Sequence, residues 1–246
     1  MNYFKNLFFI LFISFTVTSQ NNTLASGLIE YEIATENFNT INEVSDVHMR
    51  TTFMNTNNIF KSMTFILSYN ANEAIFLTEM DEMIKDGDEL ALIAAKVFSN
   101  AETIFYTNLS ESLNLRALDY LGEKFLIDDG KMDVEWTVSN ETKTILGYNC
   151  YRAYKEIEEY NEILNQKRTL VYEVWFAPDI PVSYGPIGLG GLPGLILEAT
   201  RNNRFTYRAK TIQFFENPID LDTNFKGTKI SKEEFSKLIS KRGVKR

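Results

Sequence analysis

The residue types that carry most nucleophilic and metal chemistry in proteins are scarce in this sequence. His48 is the only histidine and Cys150 the only cysteine. A Ser-His-acid or Cys-His arrangement would therefore need His48 as its base, far in sequence from Cys150. A zinc centre would have to rely on carboxylates, which is unusual. The sequence predicts a polar surface position for His48, a buried and inert Cys150, no metal site and no cofactor.

Carboxylates are the remaining candidates for catalysis. Two acidic clusters, Asp86-Gly87-Asp88-Glu89 and Asp128-Asp129-Gly130, lack the longer loop and distal glutamate of a calcium site and are typical of turns. Two pairs of carboxylates share a strand face: Glu30 with Glu32, and Asp133 with Glu135. Such a pair could hydrolyse sugars if brought to the right separation, but on an antiparallel sheet this alternation more often marks the wet face. No catalytic residue is assigned.

The most unusual stretch, residues 185–196, is called here the glycine-proline loop. Its twelve residues carry no charge and no side-chain hydrogen-bonding group, and they include five glycines and two prolines. A phosphate loop would need Lys-Ser or Lys-Thr after the last glycine, where Leu195 and Ile196 stand. A dinucleotide fingerprint would need glycine in place of Pro193 and a helix after it. The pattern excludes nucleotide binding and predicts a shaped, non-helical loop that leads into a strand.

This loop has two interpretations. In the structural one, Leu192, Leu195 and Leu197 pack at the end of a sheet and the glycines allow close packing. If Gly194 has a positive φ, a β-branched residue at this position should disturb folding. In the functional one, the loop edges a pocket or docks on a partner. The two tryptophans are likewise core residues first and ligand platforms second. The candidate binding residues are Gly185, Pro186, Gly191, Leu192, Pro193, Gly194, Leu195, Ile196, Trp136 and Trp175.

Short apolar alternations separated by polar turns dominate the chain. They predict strands at Gly27–Ala34, Met63–Tyr69, Ala74–Met80, Thr103–Asn108, Lys124–Ile127, Val134–Val138, Lys143–Leu146, Tyr148–Ile157, Thr169–Phe176, Leu195–Thr200 and Phe205–Phe215. Hairpin turns are predicted at Asn70–Glu73, Asp128–Gly130 and Arg201–Arg204. Asp88–Phe98 reads as a helix or an insertion, a helix over Lys232–Lys241 should begin after the N-cap Ser231, and Val47–Lys61 fits either a helix or a strand.

These elements predict a mainly β fold with minor α: a curved antiparallel sheet, a half-barrel or open barrel, with one or two helices and a C-terminal helix. Neither a linker nor an internal repeat divides residues 20–246, so one domain is expected.

The first nineteen residues predict a cleavable export signal. Lys5 precedes the apolar run 7–13, and the short residues Val17 and Ser19 precede a cut at Gln20. No later run approaches the roughly 20 apolar residues of a bilayer span. The formal charge of −8 argues against nucleic acid and anionic membrane surfaces as partners. We therefore expect a soluble protein, periplasmic or secreted.

A series of short segments precedes the glycine-rich run at residues 191–196. In order they are Trp136, Lys143-Thr144-Ile145, Gly147-Tyr148-Asn149-Cys150 with Ala153, Val174-Trp175-Phe176, Asp179-Ile180-Pro181 and Tyr184-Gly185-Pro186. Together they resemble the GLPGLI family of exported Bacteroidota proteins, whose naming motif is intact at residues 191–196. Gly188-Leu189-Gly190 departs from the bulkier segment of that family. The resemblance covers roughly residues 124–215 and implies location and fold, with no established activity.

Three functions remain open from the sequence. The first is a non-catalytic binding module whose curved sheet holds an apolar groove, partly closed by the glycine-proline loop, for a lipidic group, a peptide or an envelope partner. The second is an accessory or structural component of an outer-membrane transport or export system. The third, favoured least, is a carboxylate-dependent hydrolase. An apolar pocket would favour the first, and two facing carboxyls in a cleft would favour the third.

Overall fold

The structure is a computed structural model that describes residues 26–34, 46–80, 88–132, 135–161 and 166–243. The predicted signal peptide, Asp86 and Asp133 lie outside these ranges. No helix within them is long and apolar enough to cross a bilayer.

A single sheet of twelve strands dominates the described residues. Its strands are β1 (Ser26–Ala34), β2 (Met63–Asn70), β3 (Glu73–Met80), β4 (Thr103–Asn108), β5 (Leu113–Tyr120), β6 (Glu123–Gly130), β7 (Thr137–Ile145), β8 (Tyr148–Asn161), β9 (Gln166–Ala177), β10 (Leu195–Arg201), β11 (Phe205–Phe215) and β12 (Thr228–Ser231). Three helices accompany it: α1 (Val47–Phe60), α2 (Glu89–Ser99) and α3 (Lys232–Gly243). The mainly β prediction is confirmed, with a C-terminal helix and two others.

The strand order is β12-β6-β5-β4-β3-β2-β1-β11-β10-β9-β8-β7. The first strand therefore lies inside the sheet, bonded to β2 on one side and to β11 on the other. From β1 the chain runs outward strand by strand to β6, crosses to the opposite edge, and returns from β7 to β11. Every pairing is antiparallel except that of β12, which runs parallel to β6. The sheet is open, with β12 and β7 as its edges.

One predicted hairpin is wrong. The turn Asp128–Gly130 was expected to join two neighbouring strands, but these residues belong to the end of β6, and the next strand, β7, pairs with β8 at the far edge. Glu135 and Trp136 precede β7 and are not in a strand. The hairpins at Asn70–Glu73 and Arg201–Arg204 are confirmed. Two further strands, β5 and β12, are not predicted above.

The helices begin at side chains that accept backbone N–H groups. The Asp46 carboxylate accepts from the N–H groups of His48 and Met49 and starts α1, which resolves the ambiguity of that segment. Asp88 does the same for α2 by accepting from the Ala91 N–H. Ser231 and Glu234 cap α3 reciprocally, each accepting from the other's backbone N–H. Each helix thus has donors of its first turn satisfied, as stable N-termini require.

The core is built from strands whose alternate side chains are buried. In β2, Met63, Phe65, Leu67 and Tyr69 are each at most 3% exposed, while the intervening residues are half-buried. Phe65 makes an edge-to-face contact with Tyr207 at 5.2 Å between ring centres. Burial raises the pKa of Tyr207 to about 12, and its hydroxyl donates to the Ser99 carbonyl oxygen of α2. The helices α1 and α2 are thereby fixed to the sheet.

Strong curvature brings distant parts of the sheet together. We call β4, β5 and β6 the first wing, and β8, β9 and β10 the second wing. Four strands separate the two wings in the sheet order, yet side chains from both line one cleft. The inner face of the sheet is therefore concave.

Candidate functional site

The glycine-proline loop packs against the protein instead of projecting from it. The Gly191 N–H donates to the Ser183 carbonyl oxygen, and the Ile196 N–H donates to that of Tyr184. A short 3-10 turn at Pro186–Gly188 leaves Ile187 in the left-handed region, with φ of 51°. The buried side chains of Leu189, Leu192 and Ile196 pack with Val174 and Phe176 of the second wing. The loop is non-helical apart from this one turn, and it leads into β10 at Leu195, as expected.

Gly194 is required for close packing and not for its backbone angle. Its φ angle is not positive. A Cβ atom at this position would overlap the Ala177 carbonyl group, at 2.6 Å from its carbon and 2.8 Å from the Pro178 nitrogen. The condition of a positive φ, on which the predicted effect of a β-branched residue depended, is therefore not met. A larger residue is disfavoured because the backbone of Ala177–Pro178 already fills the space.

The sequence-predicted binding residues do not converge on one cavity. Gly185, Pro186, Leu192, Gly194, Leu195 and Ile196 are buried, whereas Pro193 is exposed. Gly191 lines a cavity of about 340 Å³ with Ser183, Met132 and residues of the first wing. A role of these residues in binding stays a prediction.

Each tryptophan carries a lysine ammonium over its ring. Lys155 Nζ lies 4.4 Å from the ring centre of Trp136, and Lys143 Nζ lies 4.3 Å from that of Trp175. The indole N–H of Trp136 also donates to the Gly190 carbonyl oxygen, at 2.9 Å. This bond attaches the crossing between β6 and β7 to the loop. Both tryptophans are half-buried and pack against the hydrophobic core.

A cleft between the two wings brings unlike side chains together. The cleft has a volume of about 270 Å³. The glycine-proline loop contributes Ile187 to it, and a Cβ on the next residue, Gly188, would lie 3.2 Å from the Phe105 ring of the first wing. The lining consists of Asn100, Thr103, Phe105, Arg116, Asp129, Ile157, Arg168, Leu170, Tyr172, Ile187, Arg201 and Lys232. Its surface thus combines aliphatic, aromatic, amide and charged groups.

Arg116 and Arg201 in the cleft are restrained by contacts with the protein. Arg116 forms a two-pronged ion pair with Asp129, at 2.6 Å from Nε and 2.7 Å from Nη2. Arg201 donates from Nη2 to the Phe98 carbonyl oxygen at 3.1 Å, and its guanidinium lies 5.9 Å from the centre of the Phe205 ring. These contacts restrict the guanidinium groups, so less freedom remains to be lost when a ligand binds.

The other candidates for chemistry lie apart. His48 is exposed in the first turn of α1. Cys150 is fully buried, and burial raises the pKa of its thiol to about 11, so little thiolate forms near neutral pH. Asp128 accepts from the Gly130 N–H at the end of β6. In the described ranges, no group of three His, Cys, Asp or Glu side chains is placed to hold a metal ion.

Sequence reasoning missed the cleft. Its cations come from four separate elements: Arg116 from β5, Arg168 from β9, Arg201 from β10 and Lys232 from α3. The one local signal is the order Arg168, Leu170, Tyr172, in which alternation along a strand places a cation, an aliphatic and an aromatic side chain on one face. Nothing in the sequence alone pairs that face with β5.

The curved sheet, its helices and the cleft define a mainly β domain with a small concave site on its inner face. The family model described as "N-glycanase peptide, N-terminal domain" matches residues 58–232. The chain therefore belongs to that family. The resemblance to the GLPGLI family stays a prediction, because this match does not bear on it. Comparison with curated protein sequences gives no match.

Two solved structures of PNGF-II, in space groups P21 and C2, share the fold. The first has a TM-score of 0.55 and covers 87% of this chain; the second has a TM-score of 0.53 and covers 90%. Both are 18% identical in sequence to this chain. The match covers 33% of each PNGF-II chain, so this chain spans about a third of their length.

Proposed function

We propose that the chain is an exported, non-catalytic binding module whose cleft takes a polypeptide ligand. The observation that carries this proposal is the convergence of both wings on one cleft with mixed lining. Phe105 and Tyr172 offer aromatic surface, Leu170 offers aliphatic surface, and Asn100 and Thr103 offer hydrogen-bonding groups. Charged side chains lie beside these groups, so the cleft offers stacking, apolar packing and polar contacts to one ligand. The pattern of residues 1–19 supports export.

The family description supports a polypeptide as the ligand. It names an N-glycanase and an N-terminal domain, and an N-glycanase acts on glycan-bearing polypeptides. Among the described lining residues of the cleft the one carboxylate, Asp129, is paired with Arg116, so we assign to the cleft the binding of such a polypeptide and not the cleavage. The cleft volume of about 270 Å³ lies just below the common range for small-molecule sites. A few side chains of a ligand would fill it.

The test is a titration of residues 20–246 with a denatured N-glycosylated protein and with the same protein after enzymatic removal of its glycans. We expect saturable binding by isothermal titration calorimetry and no release of glycan on prolonged incubation. Leu170→Ser should weaken binding at least five-fold. Val171→Ser changes the neighbouring residue of β9, which is 39% exposed and outside the cleft, and should leave binding unchanged.

Two results would contradict the proposal. Glycan release by the purified chain would show that the domain is an enzyme. Equal weakening of binding by Leu170→Ser and Val171→Ser would show that the ligand sits elsewhere or that β9 no longer folds, and thermal unfolding of both variants separates these two causes.

A further inference from the structure

The cleft is cationic although the chain is acidic. Over the whole sequence the formal charge is −8. Four cationic side chains line the cleft, namely Arg116, Arg168, Arg201 and Lys232, and Asp129 is the one acid among its described lining residues. An arrangement that collects positive charge in a negatively charged protein raises the local concentration of anions in a concave site.

The cations differ in their setting. Arg116 and Arg201 are half-buried and held by Asp129 and the Phe98 carbonyl, whereas Arg168 and Lys232 are exposed. Lys232 is the first residue of α3 and Arg168 lies near the start of β9. The cleft thus has both half-buried and solvent-exposed cations.

Apolar surface adjoins these charges. Arg168 and Leu170 alternate with outward residues on one face of β9, and Ile157, which pairs directly with Leu170, lies beside them on β8. Ile187 of the loop and Phe105 of β4 complete the apolar part. A ligand that carries only charge, such as inorganic phosphate, would leave this apolar surface unused.

We propose that the cleft selects an acidic segment of polypeptide, in which carboxylate side chains pair with the cations and neighbouring aliphatic side chains pack on Ile157, Leu170 and Ile187. This inference rests on the proposed function and names its ligand class. Carboxylates satisfy guanidinium groups with two parallel hydrogen bonds, and aliphatic side chains can pack on the apolar part of the cleft without leaving polar atoms unpaired. The rest of the surface, which is negatively charged overall, repels acidic segments. The preference for such a segment must therefore come from the cleft itself.

The test uses two fluorescent hexapeptides, both acetylated and amidated. One alternates leucine with glutamate, and the other has glutamine in place of every glutamate. Fluorescence anisotropy with residues 20–246 should show the acidic peptide binding at least ten-fold more tightly than the neutral one. Raising the salt concentration should reduce this preference, because the exposed charges are screened.

Charge variants locate the site. Arg168→Gln with Lys232→Gln should weaken binding of the acidic peptide at least ten-fold and leave that of the neutral peptide unchanged. The control is Lys167→Gln with Lys210→Gln, which removes the same charge at positions that do not line the cleft. These lysines are 78% and 65% exposed, and the control should bind both peptides as the unaltered chain does.

The outcomes separate the two proposals. Suppose both peptides bind equally and Leu170→Ser weakens both. The proposed binding function would then stand, and the preference for acidic segments would be overturned. If the cleft and control variants lose the same affinity for the acidic peptide, the preference comes from net charge and the inference is overturned. Competition by inorganic phosphate at the same concentration as the acidic peptide would show a site for free anions. Binding of neither peptide would overturn the acidic-segment inference, while the glycoprotein titration still decides the proposed function.

Discussion

At the scale of single residues, Gly194 shows how close backbone packing shapes the loop. Its Cα faces the Ala177 carbonyl group, where the space for a Cβ is already occupied. Gly194→Ala should lower the free energy of unfolding by about 1–3 kcal/mol, because the added methyl forces backbone to move in a packed region. Urea denaturation followed by tryptophan fluorescence measures the change.

The control for this prediction is Gly147→Asn in the turn between β7 and β8. Gly147 has a φ of 86° and open space around its Cα. Since asparagine tolerates the left-handed region, this change should cost less than about 1 kcal/mol. If both variants lose equal stability, backbone overlap at Gly194 is not the reason for the glycine.

The residues of the cleft could not be predicted from the sequence, because tertiary structure brings them together. The motif around Gly191 stands out in the sequence because its composition is local, and its packing role could be anticipated from glycine and proline alone. Arg116 and Lys232 are ordinary surface residues in the sequence, and they gain significance only when the first wing and α3 are brought opposite β9. The polarity of the cleft is a property of tertiary structure.

At the scale of elements, α3 shows how a helix start is determined locally. The Ser231 hydroxyl accepts from the Glu234 N–H at 3.1 Å, and the Glu234 carboxylate accepts from the Ser231 N–H at 3.0 Å. The bond from the Ser231 N–H to the carboxylate is the main reason that the pKa of Glu234 lies below its usual value. The stabilisation is therefore present above the ordinary glutamate pKa and is lost as pH falls through the lowered one.

Ser231→Ala should destabilise α3 by about 1 kcal/mol at neutral pH. Because Phe235 packs between Phe125 and Tyr120 of the first wing, amide hydrogen exchange should quicken in α3 and β12 first. Ser236→Ala, inside the same helix, should change stability by less than about 0.5 kcal/mol. Equal exchange rates in the two variants would show that the cap does not hold the helix.

Strand pairings followed local signals only where the turn was short. The pairs β2–β3 and β10–β11 are joined by short, mostly polar turns and were predictable, and so was the capped helix α3. The pairing of β7 was not, because Thr137 lies opposite Tyr154 of β8 and not opposite β6. Helix α1 was ambiguous because its threonines and asparagines favour a helix weakly, and its cap at Asp46 decided the outcome.

At the scale of the whole molecule, the position of β1 governs the architecture. Ser26 pairs with Phe215 and with Asn70, so the first described strand joins the two halves of the sheet. Ile29, Tyr31 and Ile33 of this strand are nearly fully buried, and the Tyr31 hydroxyl donates to the Ile196 carbonyl oxygen at 2.7 Å. The half from β2 to β6 and the half from β7 to β11 are therefore joined through one strand, β1.

Deletion of residues 1–34 should therefore abolish cooperative unfolding, whereas deletion of residues 228–246 should preserve it. The first removes a central strand and leaves two unpaired edges with exposed apolar faces. The second removes β12 and α3 from one edge, and the remaining eleven strands keep their order. Thermal unfolding followed by near-ultraviolet circular dichroism distinguishes the two. A synthetic peptide of residues 26–34 should restore the transition in the first variant, and a cooperative transition without the peptide would show that β1 is dispensable.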